Sequence, residues 1–122
     1  MDHPLTVLVA DDQPDTANTL TEVLNLSGFD AHAATLPLDA LRLASDLPPD
    51  VVVMDLAWPG VDGYSLARSM TKLSKRRPLL VAVTGHDGYE RRSANEGFDA
   101  HFVKPVEPAR LVAYLRGRAR FL

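Results

Sequence analysis

Five times along this chain a short apolar run gives way to a stretch with helical spacing, and that alternation limits the fold more than any other feature. The runs are Leu5–Ala10, Asp30–Ala34, Val51–Met54, Leu79–Val83 and Ala100–Val103. Brief apolar, β-branched runs without a polar face mark strands covered on both sides, as in parallel sheets. Asp30–Ala34 is the least apolar of the five. Between the runs, Pro14-Asp15-Thr16 opens a helix on which Ala17, Leu20, Val23 and Leu24 recur, and Ser27-Gly28 stops it. Pro48-Pro49-Asp50 forbids helix, and Trp58-Pro59-Gly60 is a turn. Leu38–Ser45 and Asp62–Leu73 are helical, and Gly88–Asn95 is a looser helix closed by Gly97. Pro108 opens a last helix with Leu111, Val112 and Leu115 inward. Strand then helix, five times over, implies an α/β fold: a five-stranded parallel sheet with helices on both faces. In such sheets function collects beyond the C-terminal strand ends.

Composition narrows the field further. At 122 residues the chain is read as one domain, 1–122, and 46% hydrophobic with 24% charged residues is a globular balance. Thirteen basic against sixteen acidic residues leave a formal charge of −3, so nothing draws the chain to nucleic acid or to a membrane surface. Cysteine is absent, which removes disulfides, thiolate metal sites and thiol nucleophiles. The start Met1-Asp2-His3-Pro4 lacks the pattern of a signal peptide, and the apolar runs are too short to span a bilayer. The expectation is a cytoplasmic protein without effector domain, a stand-alone regulator or a piece of a longer one; Met1 close to the first strand favours a true N-terminus.

Four of the five runs end in a residue that can do chemistry: Asp11 and Asp12, Asp55, Thr84, and Lys104. Asp11-Asp12 alone could be loop and helix-cap acids. Asp55 is harder to dismiss, because it follows four apolar residues. Three acids, a hydroxyl and an amine at one sheet edge form a set. Carboxylates a few ångströms apart repel by about 4 kcal/mol per close pair at an effective dielectric of ~20. A hard divalent cation relieves that with oxygen ligands alone, and Mg²⁺ leaves room for phosphate oxygens. An Asp carboxylate is a competent nucleophile toward phosphorus. The cation, the Lys104 ammonium and the Thr84 hydroxyl can each cover one phosphoryl oxygen.

Asp11-Asp12, Asp55 in DLAWPGVDGY, Thr84-Gly85 and Lys104-Pro105 in HFVKP resemble, in order and spacing, the receiver domains of two-component response regulators, over Leu5 to Leu115. The resemblance implies a (βα)5 flavodoxin-like fold with strand order 2-1-3-4-5. It implies that Asp55 is the phospho-acceptor, that Asp12, Asp55 and the Ala57 backbone carbonyl ligate Mg²⁺ (or Mn²⁺), and that Asp11 lies just behind them. Thr84 and His101 become the switch pair. The donor is a histidine kinase or histidine phosphotransfer protein, and a homodimer through the face of the fourth helix, fifth strand and fifth helix fits the family. No turnover enzyme, no direct nucleic-acid contact and no membrane contact are expected. Trp58, where Met is usual, Gly85 for Ala, and His101 for Tyr or Phe depart from the family pattern. Ala57 and His86 occupy the positions that tune autodephosphorylation in relatives.

Other readings carry less. His86 reads as a solvent-exposed loop residue, with phosphate contact as the alternative, and His3 and His32 as incidental. Ser65, Ser69, Ser74 and Ser93 fall on helix surfaces without a nucleophile elbow. Trp58 reads as a rim residue, with a partner anchor as the alternative. Arg116, Arg118 and Arg120 read as a solvated helix face or a partner contact. A phosphatase of the haloacid-dehalogenase type needs a second Asp where Ala57 stands, and a nucleotide-binding module needs a glycine-rich loop. A pseudo-receiver that only binds partners is the remaining alternative, and the intact acids, Thr84 and Lys104 count against it.

Overall fold

The structure, a computed structural model, describes residues 4–85, 90–120 and 122. The apolar runs become β1 (Thr6–Ala10), β2 (Asp30–Ala34), β3 (Val51–Asp55), β4 (Leu79–Thr84) and β5 (Ala100–Val103). They form one parallel sheet in the spatial order 2-1-3-4-5, counting its five strands along the chain. The helices are α1 (Pro14–Leu26), α2 (Pro37–Asp46), α3 (Gly63–Leu73), α4 (Glu90–Asn95) and α5 (Pro108–Ala119). The flavodoxin-like arrangement implied by the resemblance is therefore the observed one. The sequence expectation did not include a two-stranded antiparallel ribbon outside the sheet, Ala57–Trp58 against Val61–Asp62, closed over Pro59-Gly60 with Gly60 at φ +70°. His3, His86 and the Gly88 start expected for the fourth helix lie outside the described residues.

Strand alternation sorts the core into two layers. Val7, Val9, Val51, Val53, Val81 and Val83 face α1 and α5, through Ala17, Leu20, Leu24, Leu111 and Leu115. Leu8, Val52, Met54, Leu80 and Ala82 face α2 and α3, through Ala40, Ala44, Leu66, Ala67 and Met70. Every residue of β3 and β4 is buried, as a strand sandwiched between helix layers must be. Pro at the first helical position starts α1, α2 and α5, where its missing N–H costs nothing. The Asp62 carboxylate caps α3 by accepting from the Tyr64 N–H at 3.2 Å. Lys104-Pro105 is a cis peptide bond.

The acidic site at the strand ends

Sheet register sets the site. Ala10 pairs with Met54, so Asp11 comes level with Asp55 on the neighbouring strand. Hydrogen bonds running past the strand ends hold that edge together. Asp11 N–H donates to Ala34 O (3.0 Å), Leu56 N–H to Val83 O (3.3 Å) and Lys104 N–H to Thr84 O (2.8 Å). One carboxylate oxygen from each of Asp11, Asp12 and Asp55 lies within 4.8 Å of the others. β5 is two strands from β3, roughly 10 Å away at ordinary strand spacing, so only a long side chain closes the gap. Lys104 does so: its Nζ stands 3.0 Å from Asp11 Oδ2 and 3.0 Å from Asp55 Oδ2.

The remaining carboxylate oxygens of the buried pair are bound locally. Asp11 Oδ1 accepts from the Gln13 N–H at 2.9 Å, and Asp55 Oδ1 from the Ala57 N–H at 3.0 Å. Asp11 and Asp55 are 3% and 4% exposed, which is rare for carboxylates unless they are paired. Asp12 is partly exposed, and burial, followed by the charges of Asp55 and Asp11 and a hydrogen bond to Asp55, raises its pKa above 3.8. For Lys104, burial works against the charge, but its hydrogen bonds and attraction to Asp11 and Asp55 outweigh that and raise its pKa above 10.5.

Three carboxylates against one ammonium leave two negative charges in a small volume. The donors are all hard oxygens, so the residues present fit a divalent cation of the Mg²⁺ class. Thr84, fully buried, ends β4 one residue beyond the partner of Asp55. His101 pairs with Ala82, so the two share the sheet face turned toward α3, the face Thr84 also takes two residues on. Both ring nitrogens of His101 are shielded from solvent and have no hydrogen-bond partner among the described residues.

Two sequence readings need correction. Trp58 is not on the rim: it is 6% exposed, and its indole N–H donates to the Asp55 carbonyl at 2.6 Å. The ribbon turns its ring inward, which a Trp-Pro-Gly turn read in isolation does not reveal. Ser93 is not on a surface: it is 1% exposed, with its hydroxyl 3.2 Å from the Tyr64 hydroxyl. There Tyr64 also meets Phe98 edge-on and carries the Arg92 guanidinium 4.2 Å above its ring, so α4 is held to α3. Arg116 and Arg120 are exposed as expected, with Arg116 donating to Ser27 O, whereas Arg118 is only partly exposed and donates to the Tyr114 hydroxyl at 3.3 Å.

A family model described as the response regulator receiver domain matches residues 7–116. The chain belongs to this family. Such receivers are phospho-acceptor signalling domains of two-component systems, with an acidic pocket for Mg²⁺. This receiver is 34% identical over 115 residues to the transcriptional regulatory protein PrrA of Mycobacterium leprae, an alignment covering 93% of this chain and 49% of that protein. It is also 34% identical over 115 residues to the DNA-binding response regulator MtrA of Mycolicibacterium smegmatis, covering 93% and 50%. The chain thus spans about half the length of the curated relatives it matches. Their names attach transcription and DNA binding to the longer proteins, so the expectation of no nucleic-acid contact does not extend to them. Among solved structures, the CheY-like receiver domain from Methylobacillus flagellatus superposes with a TM-score of 0.83 at 30% identity, covering 93% of this chain and 98% of that one. No helix among the described residues is long and apolar enough to cross a membrane.

Proposed function

We propose that the domain is a phosphorylatable switch in which Asp55 accepts a phosphoryl group from the phosphohistidine of a histidine kinase or histidine phosphotransfer protein. The observation that carries this reading is the Lys104 ammonium 3.0 Å from both Asp11 and Asp55, inside a cluster of three carboxylates. An Asp55 carboxylate oxygen forms its bond to phosphorus as the P–N bond to the donor imidazole breaks, and the imidazole leaves neutral, keeping the proton already carried by its other ring nitrogen. Asp12, Asp55 and the Ala57 carbonyl would hold Mg²⁺ (or Mn²⁺), with Asp11 behind them; the ion supplies neutralisation of charge on the phosphoryl oxygens. Lys104 is already aimed at the acceptor oxygen and supports a second phosphoryl oxygen. The Thr84 hydroxyl supports a third, and its inward movement leaves room for His101 to follow, which shifts the face built by α4, β5 and α5 between two populated states.

Acetyl phosphate with Mg²⁺ tests the reading. Intact-mass measurement should show one phosphoryl group on the wild-type chain and none on Asp55→Asn. Label on the Asn variant would remove Asp55 as the acceptor.

A further inference from the structure

We propose that Trp58 is a positioning residue for the phospho-acceptor, its indole N–H holding the Asp55 carbonyl and thereby fixing the carboxylate that takes the phosphoryl group. The inference rests on the reading of Asp55 given above and adds a residue to it.

The segment after β3 is held at successive points. Trp58 Nε1–H donates to Asp55 O at 2.6 Å, in a contact buried from solvent. Ala57 lies between the two ends of that clamp, and its N–H donates to Asp55 Oδ1 at 3.0 Å. Leu56 N–H is tied to β4 through Val83 O. From the other side Gly63 packs on the Leu56 backbone so closely that a Cβ there would lie 2.7 Å from Leu56 Cα. Asp55 therefore has its main-chain oxygen on the indole, one carboxylate oxygen on Ala57 N–H and the other on Lys104.

The clamp sets the direction of the Ala57 N–H, because rotation of the peptides between 55 and 58 would move Trp58 off its acceptor. A hydrogen bond shielded from water holds its geometry well, since no solvent partner competes. Phe or Met at this position would fill the space with apolar volume but could donate nothing to the carbonyl. The donor, more than the bulk, is what the ribbon of Ala57–Trp58 and Val61–Asp62 delivers to the acceptor.

Two variants of the full chain separate donor from bulk. Trp58→Phe removes the N–H and some volume. Replacing Trp58 by benzothienylalanine, with sulfur in place of the N–H, keeps the ring shape. Groups that orient ligating and reacting carboxylates change metal affinity or rate by about 10–100-fold when removed. Both variants should therefore take label from acetyl phosphate about tenfold more slowly and bind Mg²⁺ more weakly, with far-ultraviolet circular dichroism unchanged. The single tryptophan of the chain gives one indole N–H resonance, which should exchange slowly with solvent in the wild type. Normal labelling and Mg²⁺ affinity in the sulfur isostere would overturn the proposal, even with Trp58→Phe impaired, because bulk alone would then explain the defect. An indole proton exchanging at the solvent rate would overturn it too. A wild-type chain that takes no label would bring down the acceptor assignment itself, and the role of Trp58 with it.

Discussion

Asp55→Asn should be almost neutral for stability without divalent ions and clearly destabilising, relative to wild type, with them. Without metal, the substitution removes two repulsions, with Asp11 and Asp12, across at most 4.8 Å. Each is about 3.5 kcal/mol at that distance and an effective dielectric of ~20. It also removes the attraction between Asp55 and Lys104 at 3.0 Å, worth about 5.5 kcal/mol on the same scale. Partial exposure of Asp12 shrinks its share, and an Asn that still accepts from the Ala57 N–H turns its amide toward Lys104, losing a hydrogen bond of about 1 kcal/mol. The opposing contributions cancel to within about 1 kcal/mol. An ion bound only by the folded state adds about 2.7 kcal/mol at a hundred times its dissociation constant. The wild type collects that increment and the Asn variant, short of one carboxylate, collects much less. Urea unfolding followed by circular dichroism, with EDTA and then across a Mg²⁺ titration, reads both halves. Parallel responses of the two proteins to Mg²⁺ would refute the reasoning, as would a loss above about 3 kcal/mol for the variant in EDTA, the cost of breaking a pair that mattered mainly for folding.

Two further outcomes follow from the same geometry. The folded-state pKa of Asp12 is raised, by burial first and by Asp55 and Asp11 next, so its contribution to metal-free stability is fully present below 3.8 and lost as pH rises through the raised value. A proton and the ion compete for that carboxylate, so Mg²⁺ affinity should fall as pH drops through the raised value and fall less steeply in Asp12→Asn; titrations showing equal slopes would contradict this. Gly63→Ala puts a Cβ against the Leu56 backbone, and overpacking of that kind costs about 1–3 kcal/mol; an unchanged urea midpoint would show that the post-β3 segment is looser than described.

The fold was legible because strands β3 and β4 carry no polar face. Val51–Val53 and Leu79–Val83 cannot be half-exposed without stranding valines and leucines in water, and both strands are buried throughout. The acid ends were legible for the converse reason: an Asp at the close of such a run must sit beside buried sheet, and Asp55 does. Much of what remained hidden depends on residues distant in sequence. Ser93 is buried with its hydroxyl on that of Tyr64, 29 residues earlier. Lys104 was expected beside the acids, and it reaches Asp55 across 49 residues; what its residue type did not announce is that it would stand at one distance from two carboxylates. Trp58 in a Trp-Pro-Gly turn carries no local sign that its N–H will find a main-chain carbonyl three residues back.

Consistency between local pattern and global fold is what makes a sequence foldable, and the places that break it tend to be functional. Here the buried carboxylates, among the described residues, are confined to one edge. The central strands bury mainly valine, leucine and alanine, yet Asp11 and Asp55 are buried at their ends with Asp12 beside them and one ammonium among the three. Burying a carboxylate costs several kcal/mol even after relaxation, and a lone Lys shared by two of them is poor compensation if stability is the purpose. An apolar residue at position 11 or 55 would serve the core better. The surplus negative charge makes physical sense as a receptor for positive charge that arrives from outside the fold, and the Lys104 ammonium beside Asp55 Oδ2 leaves a cation of this chain's own next to the oxygen that the proposed function makes the acceptor.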